Sequence, residues 1–147
     1  MSNIEEFEKK WAEDGKIDET NLVAESARIP MLHSKYYKMY FRESMRAVKL
    51  RYELKDLEMA KYTYYKGEMS EEELKERGWR QFQGTKPLKV DLGRVVETDK
   101  DIIKLSLQIE YQSSIAKFLE DVVRSINFRR GIIQDMGAMI RFQSGVG

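Results

Sequence analysis

The chain has 147 residues, of which 41% are hydrophobic and 35% are charged, and its formal net charge at pH 7 is +1. This length suits one domain with a core, and the near-zero net charge does not by itself indicate a partner. The absence of cysteine excludes disulfides and thiolate metal sites, and no apolar run approaches the roughly 20 residues that span a bilayer. The acidic start also lacks the features of a signal peptide, so we expect a cytoplasmic protein.

Two short helices are predicted near the N-terminus. Ser2, with a glutamate three residues later, forms a capping box for the first of them, and Gly15 is a natural stop. Asp18 is placed to cap the second helix. We expect that helix to end near Arg28, because the residue before Pro30 is disfavoured in the helical conformation.

The first long helix is predicted over residues 31–66. The segment contains no glycine or proline after its start, and Gly67 closes it. A continuous helix of this size would be roughly 54 Å long.

An irregular connector is predicted over residues 68–97. Ser70 starts a capping box for a short acidic helix that ends at Gly78, and its glutamates suit the first turn of a helix better than catalysis. The rest of the connector is interrupted by glycine and proline. Within it, residues 88–92 alternate between apolar and polar side chains, which predicts a short strand.

The last helix is predicted over residues 99–142. Thr98, with an aspartate three residues later, forms a capping box for its start. Gly131 and Gly137 lie inside the segment. Each destabilises a helix by about 1 kcal/mol relative to alanine, so the pattern allows a kink or a break there.

Two apolar stripes run along this last helix at spacings of three and four. The first contains Ile102, Leu105, Ile109, Ala116, Leu119, Val123, Ile126, Ile133 and Ile140. The second contains Ile103, Leu107, Tyr111, Ile115, Phe118, Val122, Ile132, Met136 and Met139. One stripe can pack on the chain's own first long helix, and two stripes require a second neighbour. We expect another copy of the chain, with Ile109, Ala116, Leu119, Val123, Ile126, Ile133 and Ile140 in the oligomer interface. The alternative is a monomeric bundle that buries both stripes.

No residue pattern predicts an enzyme. His33 is the only histidine, so a zinc or iron site built from several His or Cys ligands is excluded. No nucleophile elbow or kinase signature is present. Residues 84–86 resemble part of a phosphate loop, but the upstream glycine is misplaced and Pro87 replaces the Ser or Thr that should follow. We therefore predict no catalytic residue, no metal and no cofactor.

Basic residues cluster on one face of the first long helix. Residues 31–55 carry seven bases and two acids, a local net charge of +5, whereas residues 1–30 carry a local net charge of −4. Five of the bases are spaced three or four apart and so share a face: Lys35, Lys38, Arg42, Arg46 and Lys49. A polyanion would relieve the repulsion between these neighbours.

Aromatic residues are interleaved with these bases, among them Tyr36, Tyr37, Tyr40, Phe41 and Tyr52. A basic track for phosphates and aromatic faces for bases together hold single-stranded nucleic acid. The alternative is that the tyrosines belong to the core or to interfaces, and that the basic face is solvated or pairs with the acidic N-terminus. The residues do not distinguish DNA from RNA.

Residues 59–67, Met-Ala-Lys-Tyr-Thr-Tyr-Tyr-Lys-Gly, resemble the DNA-binding motif of the UvsY recombination mediator proteins of T-even-like bacteriophages. Further similarity lies in residues 17–22, in residues 31–35, in Asp99-Lys100-Asp101 with Leu107-Gln108, and in residues 133–136. The resemblance covers roughly residues 17–67 and 95–142, and residues 68–94 match poorly.

The resemblance implies a recombination mediator without enzymatic activity. Such a protein binds single-stranded DNA as a ring-like homo-oligomer and contacts the phage single-strand-binding protein. It helps a UvsX-type recombinase to replace that protein on the strand, in the cytoplasm of the bacterial host. The implied architecture has a nucleic-acid-binding part (residues 1–67), a connector (residues 68–97) and a C-terminal oligomerisation helix (residues 98–147) in one mostly α-helical domain.

The motif departs from the family at two positions. Lys61 stands where the family has Arg, and Met59 stands where the family has a second base; Lys66 is an added base. With these departures, the predicted DNA-binding residues are Lys35, Lys38, Arg42, Arg46, Lys49, Lys61, Tyr64, Tyr65 and Lys66. Tyr64 and Tyr65 either stack on bases or support the helix end, and support is favoured because adjacent side chains on a helix point in different directions. The competing hypothesis is a structural helical oligomer or scaffold whose basic face binds an acidic protein.

Overall fold

A computed structural model describes residues 3–145, which form five α-helices. They are α1 (Ile4–Asp14), α2 (Leu22–Tyr65), α3 (Glu71–Arg77), α4 (Leu92–Glu97) and α5 (Lys100–Gln143). No strand occurs in this range. The mostly α-helical class with two long helices is thus confirmed. None of the helices within residues 3–145 is both long and apolar enough to cross a membrane.

Helix α1 is capped one residue later than predicted. Asn3 is its N-cap and accepts a hydrogen bond from the backbone N–H of Glu5 at 3.0 Å. The predicted cap, Ser2, lies outside the described residues. Gly15 ends the helix as predicted, with its N–H bonded back to the carbonyl of Trp11.

The separate second helix was a wrong prediction, because α2 starts at Leu22 and continues without a break through Pro30 to Tyr65. The side chain of Asn21 accepts from the backbone N–H of Ala24 at this start, and Asp18 instead closes a turn with Thr20. A proline inside a helix destabilises it by about 3 kcal/mol. Leu32 lies in the core and Ile29 packs against it, and this packing on both sides of Pro30 outweighs the destabilisation by the proline.

The connector contains helix α3, as predicted, but not the predicted strand. Ser70 accepts from the backbone N–H of Glu73, and Gly78 ends α3 at a φ of 70°. Residues 88–91 instead form a turn that leads into α4, with the N–H of Asp91 donating to the carbonyl of Leu88 at 2.9 Å. Apolar and polar residues thus alternate in a segment that forms a turn, in which most side chains are exposed to solvent.

Helix α5 is capped by Asp99, and not by Thr98. One carboxylate oxygen of Asp99 accepts from the backbone N–H groups of Asp101 and Ile102, at 2.8 and 3.3 Å. Thr98 ends α4 instead. The helix then runs without a break through Gly131 and Gly137 to Gln143, so the end predicted near residue 142 is confirmed.

The described chain divides into two compact units, Met1–Met45 with Gln112–Gly147, and Arg46–Tyr111. This division cuts through both long helices, and does not fall at the ends of the connector. In the first unit, α1, α2 and α5 share a core of Leu32, Tyr36, Ile115, Leu119, Val122 and Ile126. The first unit also buries Glu25 and Arg129, whose side chains approach to 3.6 Å.

The second unit has a smaller core. Ala60, Met69 and Leu74 are buried together, and Tyr64 and Trp79 pack against them. This core joins the end of α2, where most of the family-like motif lies, to α3 and to the segment that follows α3.

A candidate nucleic-acid interface on helix α2

Helix α2 presents the predicted basic residues to solvent. Lys35, Lys38, Arg42, Arg46 and Lys49 are all exposed. Within residues 3–145, no carboxylate forms an ion pair with Lys38 or Arg42. These two lie four residues apart in the first unit and therefore project from the same side of the helix. They are the clearest pair of cations available to an anionic ligand.

Lys35 is already engaged. Its ammonium lies 2.6 Å from Oδ2 of Asp14, and the hydroxyl of Tyr36 donates to the same oxygen at 2.8 Å. The hydrogen bond from Lys35 is the main reason that the pKa of Asp14 falls below its usual value. A phosphate would have to compete with Asp14 for Lys35, and the contact of Lys35 with DNA stays a prediction. This pair follows the alternative in which the basic face meets the acidic N-terminus.

Two aromatic residues near Lys38 and Arg42 in the chain are exposed to solvent. Tyr37 is 49% exposed and Phe41 is 59% exposed. They are four residues apart and so share a row, and Phe41, three residues after Lys38, brings this row next to the basic row. The ring of His33 stacks on that of Tyr37, with centroids 5.9 Å apart and planes at 11°.

Lys61 does not lie on this surface. It is only 5% exposed, and its ammonium lies 2.8 Å from Oδ2 of Asp101 and 3.2 Å from Oδ2 of Asp99. The same ammonium lies 4.1 Å from the ring centroid of Trp79. The buried carboxylate of Asp99, the exposed carboxylate of Asp101 and an indole ring already contact its charge, so a phosphate would have to displace them, and the contact of Lys61 with DNA stays a prediction.

Tyr65 completes the same cluster, because its hydroxyl donates to Oδ2 of Asp99 at 2.5 Å. Burial and this hydrogen bond raise the pKa of Tyr65 above its usual value. Burial opposes ionisation of Asp99, but hydrogen bonds from Tyr65 and Lys61 outweigh it and hold the pKa of Asp99 below its usual value. Tyr65 thus supports the junction between α2 and α5, the role that the sequence favours for it.

Tyr64 also has a supporting position. Its ring packs edge to face against Trp79 and Phe82, with centroids 5.4 and 5.7 Å apart. Lys66 is exposed. Of the four motif residues in the predicted site, Lys66 is thus the one whose charge faces solvent.

The predicted oligomer residues are divided between core and surface. Ile109, Ala116, Leu119, Ile126 and Ile133 are buried within their own chain, and Val123 is partly buried. Ile140 is 40% exposed. The buried members pack within their own chain, and their place in a contact between copies stays a prediction. Near the end of α5, the exposed apolar residues are Phe128, Ile132, Met139, Ile140 and Phe142.

Sequence reasoning missed the roles of two residues in the second unit. Asp99 is both the cap of α5 and the acceptor for Tyr65 and Lys61. Trp79 covers Lys61. The signal available was the pair of aspartates at positions 99 and 101, which was read only as a helix start. No local pattern indicated that a lysine some forty residues away would meet them.

An all-helical chain with a row of bases beside a row of exposed aromatics is the arrangement expected of a binder of single-stranded nucleic acid. The chain belongs to the family described as the recombination, repair and single-stranded-DNA-binding protein UvsY, whose model matches residues 10–146. It is 26% identical over 145 residues to the recombination protein UvsY of Enterobacteria phage T4, which covers 97% of this chain and 98% of that protein.

The fold is also that of the phage T4 recombination mediator protein UvsY. One crystal form of that protein superposes with a TM-score of 0.82 at 22% identity, covering 98% of this chain and 99% of the other. A second crystal form gives a TM-score of 0.81 at 22% identity, covering 96% and 99%. The match therefore includes both long helices and the connector.

Proposed function

We propose that this protein is a recombination mediator that binds single-stranded DNA along α2. In this proposal it promotes the loading of a UvsX-type recombinase in place of the phage single-strand-binding protein, in the bacterial host cytoplasm. Membership of the UvsY family supports the proposal. The structural observation that carries it is the row of Tyr37 and Phe41, both exposed, beside the exposed Lys38 and Arg42.

These two rows suit the chemistry of a single strand. Cations on one row neutralise phosphates and release counterions, which makes binding strongly dependent on salt. Aromatic faces on the other row stack on bases, and a base has a face available for stacking only when it is unpaired. A duplex would satisfy the cations but leave the aromatic row unused. We therefore infer a preference for the single strand.

In an oligomer, several copies of this small binding surface can contact one strand at the same time. Two cations and two rings per subunit hold a strand weakly, but several copies on one assembly bind it with high avidity. Phe128 and Ile132, which are 66% and 48% exposed and one helical turn apart on α5, are the best candidates for the contact between copies. Burial of such side chains is worth about 1.5–3 kcal/mol each.

Exchange of proteins on the strand then follows from differential binding. A ligand shifts an equilibrium only by its difference in affinity for the two states. A strand held in a geometry that suits the recombinase better than the single-strand-binding protein favours the exchange. The mediator needs no catalytic residue for this step, and any nucleotide hydrolysis belongs to the recombinase.

The experiment that tests the proposal is binding of the full chain to a fluorescent single-stranded oligonucleotide over a salt series, with duplex DNA as competitor. We expect tight binding at low salt, a steep loss with rising salt, and little competition by the duplex. Recombinase loading onto a strand covered by the single-strand-binding protein is then expected to accelerate. No binding at low salt would contradict the proposal and favour a scaffold that binds an acidic protein.

A further inference from the structure

The turn before α4 holds two aliphatic side chains in solvent. Leu88 is 70% exposed and Val90 is 88% exposed. Their backbone is nevertheless fixed, because the N–H groups of Asp91 and Leu92 donate to the carbonyl of Leu88 at 2.9 and 3.1 Å. The side chain of Leu92 is buried, which anchors the turn. Two apolar side chains are thus exposed to solvent on a turn whose backbone is held in place.

The segment before this turn is attached to the end of α2. The ring of Phe82 packs against Tyr65 and Tyr64, with centroids 5.1 and 5.7 Å apart. The side chain of Lys86 lies over Gly67, so close that a Cβ atom on Gly67 would fall 2.9 Å from Cε of Lys86. Packing at both places holds the connector against the end of α2 within the second unit.

The same segment is basic. Residues 80–94 contain four bases and one acid, a local net charge of +3. All four bases are exposed, and no carboxylate within residues 3–145 forms an ion pair with them. We call this region the connector surface and define it by Arg80, Lys86, Leu88, Lys89, Val90 and Arg94.

We propose that the connector surface docks an acidic segment of a partner protein that carries leucine-like side chains between its carboxylates. Charge complementarity selects an acidic ligand, and the exposed Leu88 and Val90 select one with apolar side chains. A nucleic acid fits less well, because aliphatic side chains offer no face on which bases stack. The aromatic rings of this region, Trp79 and Phe82, are half-buried in packing with Tyr64.

This surface therefore differs in chemistry from that on α2, where exposed rings lie beside the bases. The two surfaces serve different ligands, and the docking role does not depend on strand binding. A mediator with both would hold a strand and a protein at the same time.

The test uses the full chain and three fluorescent probes measured by anisotropy: a synthetic peptide of alternating Asp and Leu, a peptide of alternating Asp and Ser, and a single-stranded oligonucleotide. The double variant Leu88→Ser with Val90→Ser is expected to bind the Asp-Leu peptide about tenfold more weakly. Its binding of the other two probes is expected to stay unchanged. Val23→Ser, which removes a side chain that is 82% exposed elsewhere, is the matched control and is expected to change nothing.

A second double variant, Arg80→Glu with Lys89→Glu, tests the role of the charges. It is expected to bind both peptides more weakly than the parent does, while its helical circular dichroism matches that of the parent. Equal affinity of the parent for the Asp-Leu and Asp-Ser peptides would overturn the proposal. So would unchanged peptide binding by both double variants. If oligonucleotide binding falls as far as peptide binding, the connector surface is a nucleic-acid site and the proposal is wrong.

Discussion

The ammonium of Lys61 lies 3.2 Å from Oδ2 of Asp99, and both side chains are buried. This pair joins the end of α2 to the cap of α5, because Asp99 also accepts the first backbone N–H groups of that helix. A lysine that resembles a DNA contact in sequence thus holds the fold of the second unit. The residues that fix this unit therefore differ from those on α2 that we expect to face the strand.

Changing Lys61 to Met is expected to lower the free energy of unfolding by about 3 kcal/mol, since removal of one partner leaves a buried carboxylate uncompensated. The aliphatic part of the side chain is kept, so the contact with Trp79 remains. Urea denaturation measures the effect. Lys66→Ala, a neighbouring exposed lysine, is the control and is expected to have little effect on stability. An unfolding curve of Lys61→Met that overlays the parent would contradict the structural role.

The stability of the protein is expected to fall in acid partly through Asp99. The pKa of this carboxyl lies below its unfolded value of about 4, so the folded state binds its proton less readily than the unfolded state. Its stabilising contribution is complete above that pH and is lost as the pH falls through the folded pKa. Asp99→Asn is expected to be less stable at pH 7 and to lose less stability on acidification. Urea midpoints between pH 7 and pH 2 measure this, and parallel curves for both proteins would contradict it.

The aromatic row on α2 is expected to contribute affinity without changing the dependence on salt. Tyr37→Ala with Phe41→Ala removes two stacking faces, each worth about 1–3 kcal/mol per base, but no charge. Oligonucleotide affinity at one salt concentration is therefore expected to drop while the slope against salt stays constant. Leu107→Ala, which removes a side chain 65% exposed on α5, is the control. Affinity equal to that of the parent would show that the bases do not contact this row.

The mass of the assembly is expected to depend on the exposed end of α5. Phe128→Ser with Ile132→Ser removes apolar contact area between copies and leaves the core intact, so light scattering is expected to give a lower mass with unchanged helical circular dichroism. Met59→Ser, at a residue 71% exposed in the second unit, is expected to keep the parent mass. If the assembly of the double variant has the same mass as that of the parent, the contact between copies does not involve Phe128 and Ile132. Leu119, with no exposure, is unsuitable for this test because its replacement would damage the core.

The sequence was enough to predict both long helices, because glycine stops, caps and apolar spacing are local signals. It failed at Pro30, where the local preference for a helix end is overridden by packing of the residues on either side. It also failed at residues 88–92, because alternation alone does not separate a strand from a turn with exposed side chains. The first error concerns tertiary packing, which no window of neighbouring residues contains, and the second concerns solvent exposure, which alternation alone does not reveal.

The candidate site was predictable to a similar extent. The spacing of Lys38 and Arg42 placed them on one exposed face, and the structure agrees. Burial of Lys61 depends on aspartates that come together with it only in the fold. Likewise, spacing alone predicts Leu119 in a contact between copies, and only the fold shows that it shares a core with Leu32 and Tyr36 of α2.

The most direct test of strand binding on α2 is the salt dependence of oligonucleotide affinity for Lys38→Ala with Arg42→Ala. Each phosphate contact contributes about 0.7 to the slope of log affinity against log salt. Loss of two contacts is therefore expected to reduce the slope by about 1.4 per subunit engaged. The control is Lys9→Ala with Arg130→Ala, which removes one exposed lysine and one exposed arginine elsewhere in the first unit and is expected to keep the parent slope. A slope for the α2 variant equal to that of the parent would contradict the account.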